Sequence, residues 1–228
     1  MSEEAPPTPK RATPWSRTIR RVTSRQGVFL VLDGPDGGGK TTQARRLVER
    51  ARGLGRQVVH LREPGGTVLG ERVRAIVLDP EVGDLDPTTE VLLFQAARRR
   101  LAIERNRPAL EAGAVVVCER WWFSTQAYQG GGGGVDAAVI RVTTRLATEG
   151  LEPRRAILLD VDEEAAAARM SRPLDRVERR GPDYRRRVRA EFRRLFLADP
   201  DRFVWIDAGR SEDQVAEAVW HAFRDLVE

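Results

Sequence analysis

Cysteine is almost missing: Cys118 stands alone in 228 residues. That excludes an internal disulfide framework and any zinc cage built from thiolates. Histidine is nearly as scarce, and His60 and His221 lie too far apart in sequence to predict a histidine metal cluster. No apolar run approaches the roughly 20 residues of a transmembrane helix. Residues 1–25 lack the apolar core of a secretory signal. These absences predict a cytoplasmic chain with no membrane contact. Lysine is the third scarcity, because only Lys10 and Lys40 interrupt a set of 39 basic residues otherwise made of arginine. A lysine kept in such a background marks a place that needs a slim, flexible ammonium rather than a planar guanidinium.

What is present suits one globular domain: 41% apolar residues, and 32% charged residues with a net charge of +5. The charge is unevenly spread. Residues 1–25 hold six basic and two acidic side chains, whereas the rest of the chain holds 33 basic against 32 acidic. The nearly neutral body predicts no nucleic-acid partner. Residues 1–25, rich in Pro, Ser, Thr and Arg, are expected to be a disordered basic extension, and residues 26–228 the folded domain.

From residue 27 onward, strand and helix signals alternate. Short apolar runs at 28–33, 58–61, 114–118, 156–161 and 203–206 read as strands. Between them 41–52, 88–113, 135–149, 184–197 and 211–227 read as helices. Val188, Phe192, Leu195 and Phe196 share one face of the fourth. Ser211 is the expected N-cap of the last, with Val215, Val219, Ala222, Phe223 and Leu226 facing inward. Strands spaced by helices predict an α/β fold with a parallel five-stranded sheet covered on both faces. Ligands of such sheets bind beyond the strand carboxyl ends. The five glycines 130–134 read as a flexible loop.

The first strand runs into Gly34-Pro35-Asp36-Gly37-Gly38-Gly39-Lys40-Thr41, which fits G-x-x-x-x-G-K-[ST] between a strand and a helix, the context of a P-loop. Its glycines let backbone N–H groups curl around phosphate oxygens, and the following helix adds a favourable dipole. Lys40 is expected to reach the β- and γ-phosphates, and Thr41 to offer its hydroxyl to Mg²⁺. A P-loop alone does not separate GTPases, motor ATPases and small-molecule kinases. The absence of an N-K-x-D guanine signature disfavours the first.

Four further observations narrow the class. Arg62-Glu63-Pro64-Gly65-Gly66 makes a turn at the end of the second strand. Phe94 and Arg98, at i and i+4, share a helix face; a ring in that place is ordinarily core, but with a donor beside it the pair could also stack on a base and bond its edge. Glu119-Arg120 closes the third strand, and Thr125 and Gln129 repeat the i, i+4 spacing. In order and spacing, DGPDGGGKTTQ (33–43), LREPGGTVLGERVR (61–74), LLFQAARR (92–99) with PALEAG (108–113), and CERWWFSTQAYQGGG (118–132) resemble the bacterial thymidylate kinases.

The resemblance implies the nucleoside-monophosphate-kinase fold of the P-loop NTPases, with an Arg-rich lid over 171–182, and transfer of phosphate from ATP to dTMP with Mg²⁺ by a homodimer. It assigns Gly34, Pro35, Asp36, Gly37, Gly38, Gly39, Lys40, Thr41 and Thr42 to ATP. It assigns Arg62, Glu63, Pro64, Arg74, Phe94, Arg98, Thr125, Tyr128 and Gln129 to dTMP, together with Asp36 and Arg120, and implies a cis bond before Pro64. Thr41 and Glu119 are the implied metal-facing pair. Asp36, Lys40, Arg120 and the lid residues Arg172 and Arg176 form the implied catalytic group, with Arg169, Arg179 and Arg180 as further lid cations. The turn Asp207-Ala208-Gly209 is implied to lie beside the adenine. The sequence departs from the family at Glu119 and Trp121, where an aspartate and a tyrosine or histidine are usual. A kinase for another nucleotide, or a catalytically weak nucleotide-binding module, are the alternatives.

Overall fold

The computed structural model describes residues 27–169 and 175–228. The extension expected over residues 1–25 and the lid arginine Arg172 lie outside the described residues. Among the described residues five parallel strands form one sheet in the order β2-β3-β1-β4-β5. They are β1 (Val28–Asp33), β2 (Val58–Arg62), β3 (Val115–Glu119), β4 (Arg155–Asp160) and β5 (Phe203–Asp207). The two-residue alternation of a strand divides their side chains between two cores. Leu30, Leu32, Val115, Val117, Ile157 and Leu159 face one way, against α1 (Lys40–Gly53) and α9 (Glu212–Val227). Phe29, Val31, Val116, Cys118, Ala156 and Leu158 face the other way, toward α8 (Pro182–Ala198). Being buried on both faces is why these strands read as unbroken apolar runs.

The helices α2 (Val68–Leu78), α3 (Pro87–Leu101) and α6 (Ala137–Thr148) pack side by side at the flank of the sheet. Thr67 caps α2 by accepting from Gly70 N at 3.0 Å, and Asp86 caps α3 through Thr88 N and Thr89 N, both at 3.0 Å. Ser211 caps α9 in a reciprocal box with Gln214, as expected. Val215, Val219 and Phe223 are buried on α9, joined by Trp220 and Val227, while Ala222 and Leu226 are partly covered.

Three expectations need correction. The third strand lies one residue later than read, at Val115–Glu119, because Glu119 stays in register beside Leu32 and Arg62. The helical stretch 88–113 is not uniform. Beyond α3 it widens over Ala102–Asn106 and then tightens into α4 (Arg107–Glu111). Pro108 cannot donate to the carbonyl of residue 104, and the helix widens just before it. The glycine run is not a free loop either. Gly130–Gly132 belong to a wide helical turn, Gln126–Gly132, that continues the short helix α5 (Trp122–Thr125). A Cβ on Gly132 would meet the Tyr184 ring at 2.5 Å, so the missing side chain is what lets α8 approach.

Candidate active site

The carboxyl ends of β1, β2 and β3 point to one edge of the sheet and bring the sequence motifs together. The loop after β1 curls because Gly34 takes φ 127°, a conformation closed to most side chains, with the Leu159 backbone pressed against it. Lys40 opens α1 and is buried. Its Nζ donates to the carbonyls of Gly34 (3.0 Å) and Pro35 (2.7 Å). Burial, with the Arg120 charge adding to it, lowers the Lys40 pKa to about 8 against the opposing pull of Asp36, Asp33 and Glu119.

Thr41 Oγ1 donates to Glu119 Oε2 at 2.5 Å, and the other carboxylate oxygen, Oε1, lies 2.9 Å from His60 Nε2. Burial alone would raise the Glu119 pKa, but hydrogen bonds from His60 and Thr41 hold it below the ordinary carboxylate value. A hydroxyl and an ionised carboxylate side by side at a phosphate loop are hard oxygen donors and fit Mg²⁺, which keeps waters and phosphate oxygens as its remaining ligands. Among the described residues no group of three or more His, Cys, Asp or Glu forms a self-sufficient metal cage.

Arg120 follows β3 in a left-handed conformation, φ 67°, unusual outside glycine and held by its N–H bond to Leu32 O at 2.9 Å. Its guanidinium donates to Ser124 Oγ (2.9 Å) and Gly34 O (3.2 Å), pairs with Asp36, and lies over the Tyr128 ring, 5.3 Å from its centroid. Tyr128 donates its hydroxyl to the other Asp36 oxygen at 2.7 Å. Asp36 thus ties the phosphate loop to the segment after β3. Asp33, which sequence reasoning passed over, does the same from beneath. Fully buried, it accepts from Gly34 N (2.9 Å), Ser124 Oγ (2.6 Å), Trp121 N (3.1 Å) and Ser124 N (3.2 Å).

A cavity opens beside this cluster. Phe94 forms part of its wall, half-buried, with Pro64 and Arg74 on the side of the second loop. Arg74 donates to Pro64 O at 3.2 Å, and the Glu63–Pro64 bond is cis. Arg98, Thr125, Tyr128 and Gln129 line the same cavity, as do Asp36 and Arg120. Arg98 is 2% exposed and donates to Glu63 Oε2 (2.8 Å), Gln95 Oε1 (2.9 Å) and Thr125 Oγ1 (3.0 Å). Glu63 carries the strain of that position. Burial raises its pKa to about 7, even beside Arg98, and its Oε1 has no hydrogen-bond partner among the described residues. Trp121, where a hydroxyl or imidazole was the family expectation, is buried edge-on to Phe29 and also borders the cavity.

Two expected residues are not brought to this cluster. Arg62 is exposed and donates to Glu71 Oε2 at 3.0 Å, outside the cavity lining. Arg176 turns away from the phosphate loop, because a fully buried carboxylate, Glu90, pairs with it and its Nε donates to Val77 O at 3.1 Å. Glu90 also accepts from Arg180 Nη2 at 2.6 Å and from Gln129 Nε2 at 2.9 Å. The return of the lid segment and the floor of the cavity therefore share one carboxylate. The spacing of Glu90, Phe94 and Arg98, each four residues from the next, was the signal that could have exposed it. Arg169 donates to Ala208 O at 2.8 Å, joining α7 (Glu163–Arg169) to the turn after β5.

A parallel sheet whose first strand feeds a lysine-bearing glycine loop, with a cavity abutting that loop, defines a nucleotide kinase of the P-loop class. The family model described as thymidylate kinase matches residues 32–219. A thymidylate kinase of Deinococcus radiodurans is 46% identical over 200 residues, covering 86% of this chain and 96% of that protein. One from Pelotomaculum thermopropionicum is 41% identical over 206 residues, covering 89% and 95%. The crystal structure of thymidylate kinase from Ehrlichia chaffeensis superposes with a TM-score of 0.72 at 30% identity, covering 87% of this chain and 99% of that one. This chain belongs to the thymidylate kinase family. No helix among the described residues is long and apolar enough to cross a membrane.

Proposed function

We propose that this enzyme transfers the terminal phosphoryl group of ATP to dTMP, giving ADP and dTDP, by in-line displacement with Mg²⁺. The observation that carries the reading is the Asp36 bridge. One carboxylate of the phosphate loop holds Arg120 and Tyr128, both in the wall of the neighbouring cavity, so donor and acceptor sites share a boundary. The nucleophile is a phosphate oxygen already ionised at neutral pH, and no general base is needed. The protein's work is to set two polyanions end to end and offset their repulsion.

In this reading Lys40 leaves the Gly34 and Pro35 carbonyls for the β- and γ-phosphates, and the loop from Gly34 through Thr42 surrounds them. Arg120 spans the transferring group, and Arg74 faces the acceptor phosphate. Phe94 stacks on the pyrimidine while Arg98, Thr125 and Gln129 bond its edge, and Tyr128 crowds the ribose 2′ position. Thr41 and Glu119 would hold the ion, which would supply Lewis-acid stabilisation of the phosphate charge. Arg172 supplies lid charge. Arg176, kept by Glu90, anchors the lid's return instead. Exposed apolar side chains on the three adjacent helices, among them Ile76, Leu92, Val142 and Leu146, support a homodimer. The test is a coupled ADP-release assay with dTMP, dUMP, dCMP, dGMP and UMP, with and without Mg²⁺. The reading expects Mg²⁺-dependent turnover with dTMP as best acceptor. Equal or better use of another base overturns the thymine assignment, and absence of transfer overturns the kinase reading.

A further inference from the structure

His60 is one of only two histidines in the chain, and no part of the proposed transfer uses it. It sits inside β2, where the register sets His60 beside Val117 and Arg62 beside Glu119 of β3. Residues two apart on a strand share a face, so His60 and Glu119 both project from the side of the sheet that Val115 and Val117 present to α1. The imidazole reaches one diagonal step forward and meets Glu119 Oε1 at 2.9 Å. This is its one hydrogen bond among the described residues. Both side chains are sheltered, at 25% and 12% exposure.

We propose that His60 is a positioning residue for the metal-facing carboxylate: it holds Glu119 Oε1 so that Oε2 is presented at Thr41. The proposal rests on the reading of Thr41 and Glu119 as the metal-facing pair. A glutamate side chain turns about three bonds, and a single contact at its tip leaves the carboxylate free to rotate or to swing aside. Here each oxygen has its own partner, Thr41 on one and His60 on the other, from two different elements. With both oxygens held, the long side chain has one orientation at the phosphate loop. A neutral imidazole carrying its hydrogen on Nε2 makes this bond, so the arrangement does not require a charged ring. Losing a partner of this kind, behind the ligands themselves, typically weakens metal binding by about 10–100-fold.

The experiment compares H60L, which has no donor, with H60Q, whose amide nitrogen occupies nearly the place of Nε2. Mn²⁺ serves as the spectroscopic probe, and its affinity for the enzyme–ATP complex is read by electron paramagnetic resonance, beside metal-free ATP binding and the melting temperature. H60L is expected to weaken Mn²⁺ binding by about 10–100-fold with metal-free ATP binding preserved, and H60Q to recover most of that loss. Should H60L fail to fold, H60N, whose amide stops short of Oε1, carries the same expectation. Wild-type Mn²⁺ affinity in a folded H60L or H60N, or H60Q as impaired as H60L, overturns the proposal. E119Q separates the two levels. If it weakens Mn²⁺ binding and the His60 variants do not, only the role of His60 is refuted. If E119Q has no effect, the metal reading beneath it fails.

Discussion

Replacing Arg98 by methionine removes three hydrogen bonds from a side chain that is 2% exposed, those to Glu63, Gln95 and Thr125. The largest consequence falls on Glu63. One of its oxygens already lacks a partner among the described residues, and without Arg98 the whole carboxylate is stranded. Removing one member of a buried ion pair costs about 3–5 kcal/mol. Burial has already brought the Glu63 pKa to about 7. Without the guanidinium it climbs further and the group takes up a proton at neutral pH, which places the loss near the lower end, about 3 kcal/mol. Substituting Glu63 as well, in R98M/E63L, removes the stranded group, and urea melts should return to within about 1 kcal/mol of wild type. Substrate binding should not return with it. A charged hydrogen bond to a base carbonyl contributes about 1.5–3 kcal/mol, so the dTMP KM should rise roughly 10–150-fold in both variants while the ATP KM stays put. Recovery of the dTMP KM in the double variant would show that Arg98 only buttresses Glu63, and the assignment of its guanidinium to the pyrimidine would be wrong.

Glu63 also makes a pH prediction. Its folded pKa, about 7, lies above the usual 4.5. Its contribution to stability is therefore complete below pH 4.5 and is lost as pH rises through 7. The stability of wild type minus that of E63Q should fall across this window by at most about 3 kcal/mol, and a difference that is flat or rises refutes it. The glycine turn gives a third. G132A drives a methyl into the Tyr184 ring and Val188, and should lower stability by about 1–3 kcal/mol in a thermal melt, whereas a free loop would show no change. The fourth concerns Glu90. E90L strands Arg176 and Arg180 and releases Gln129, so stability should drop by about 3 kcal/mol or more and the dTMP KM should rise with the ATP KM unmoved. Equal changes in both KM values would disconnect Glu90 from the acceptor cavity.

The strands and the phosphate loop were legible because each is a local pattern. Glycines and a lysine at set spacing between a strand and a helix build little else than a phosphate cradle, and doubly buried strands announce themselves as runs such as Val115–Cys118. The order β2-β3-β1-β4-β5 was not legible, since pairing depends on which apolar faces meet in space. The glycine run was misread for the same reason. Composition reports the freedom of the glycines but not the α8 groups that press upon Gly131 and Gly132, among them Glu191, Tyr184 and Val188. Asp33 and Glu90 escaped because an acid at a strand end or inside a helix looks like any other until its partners are known. Arg176 shows the converse: a lid sequence offers several cations, and only the buried carboxylate of Glu90 decides which of them turns inward.

The near-absence of lysine gives the phosphate loop a chemical handle. Apart from Lys10, Lys40 carries the chain's only side-chain amine, and with a pKa of about 8 a useful fraction is uncharged and open to an acylating reagent in mildly alkaline buffer. Its hydrogen-bond partners in the loop are backbone carbonyls, which do not compete for the reagent. A bound triphosphate shields that nitrogen. Trypsin does not cut after an acylated lysine, so the ratio of the tagged peptide 26–45 to the untagged peptide 26–40 becomes a direct gauge of how full the donor site is, read without following turnover at all.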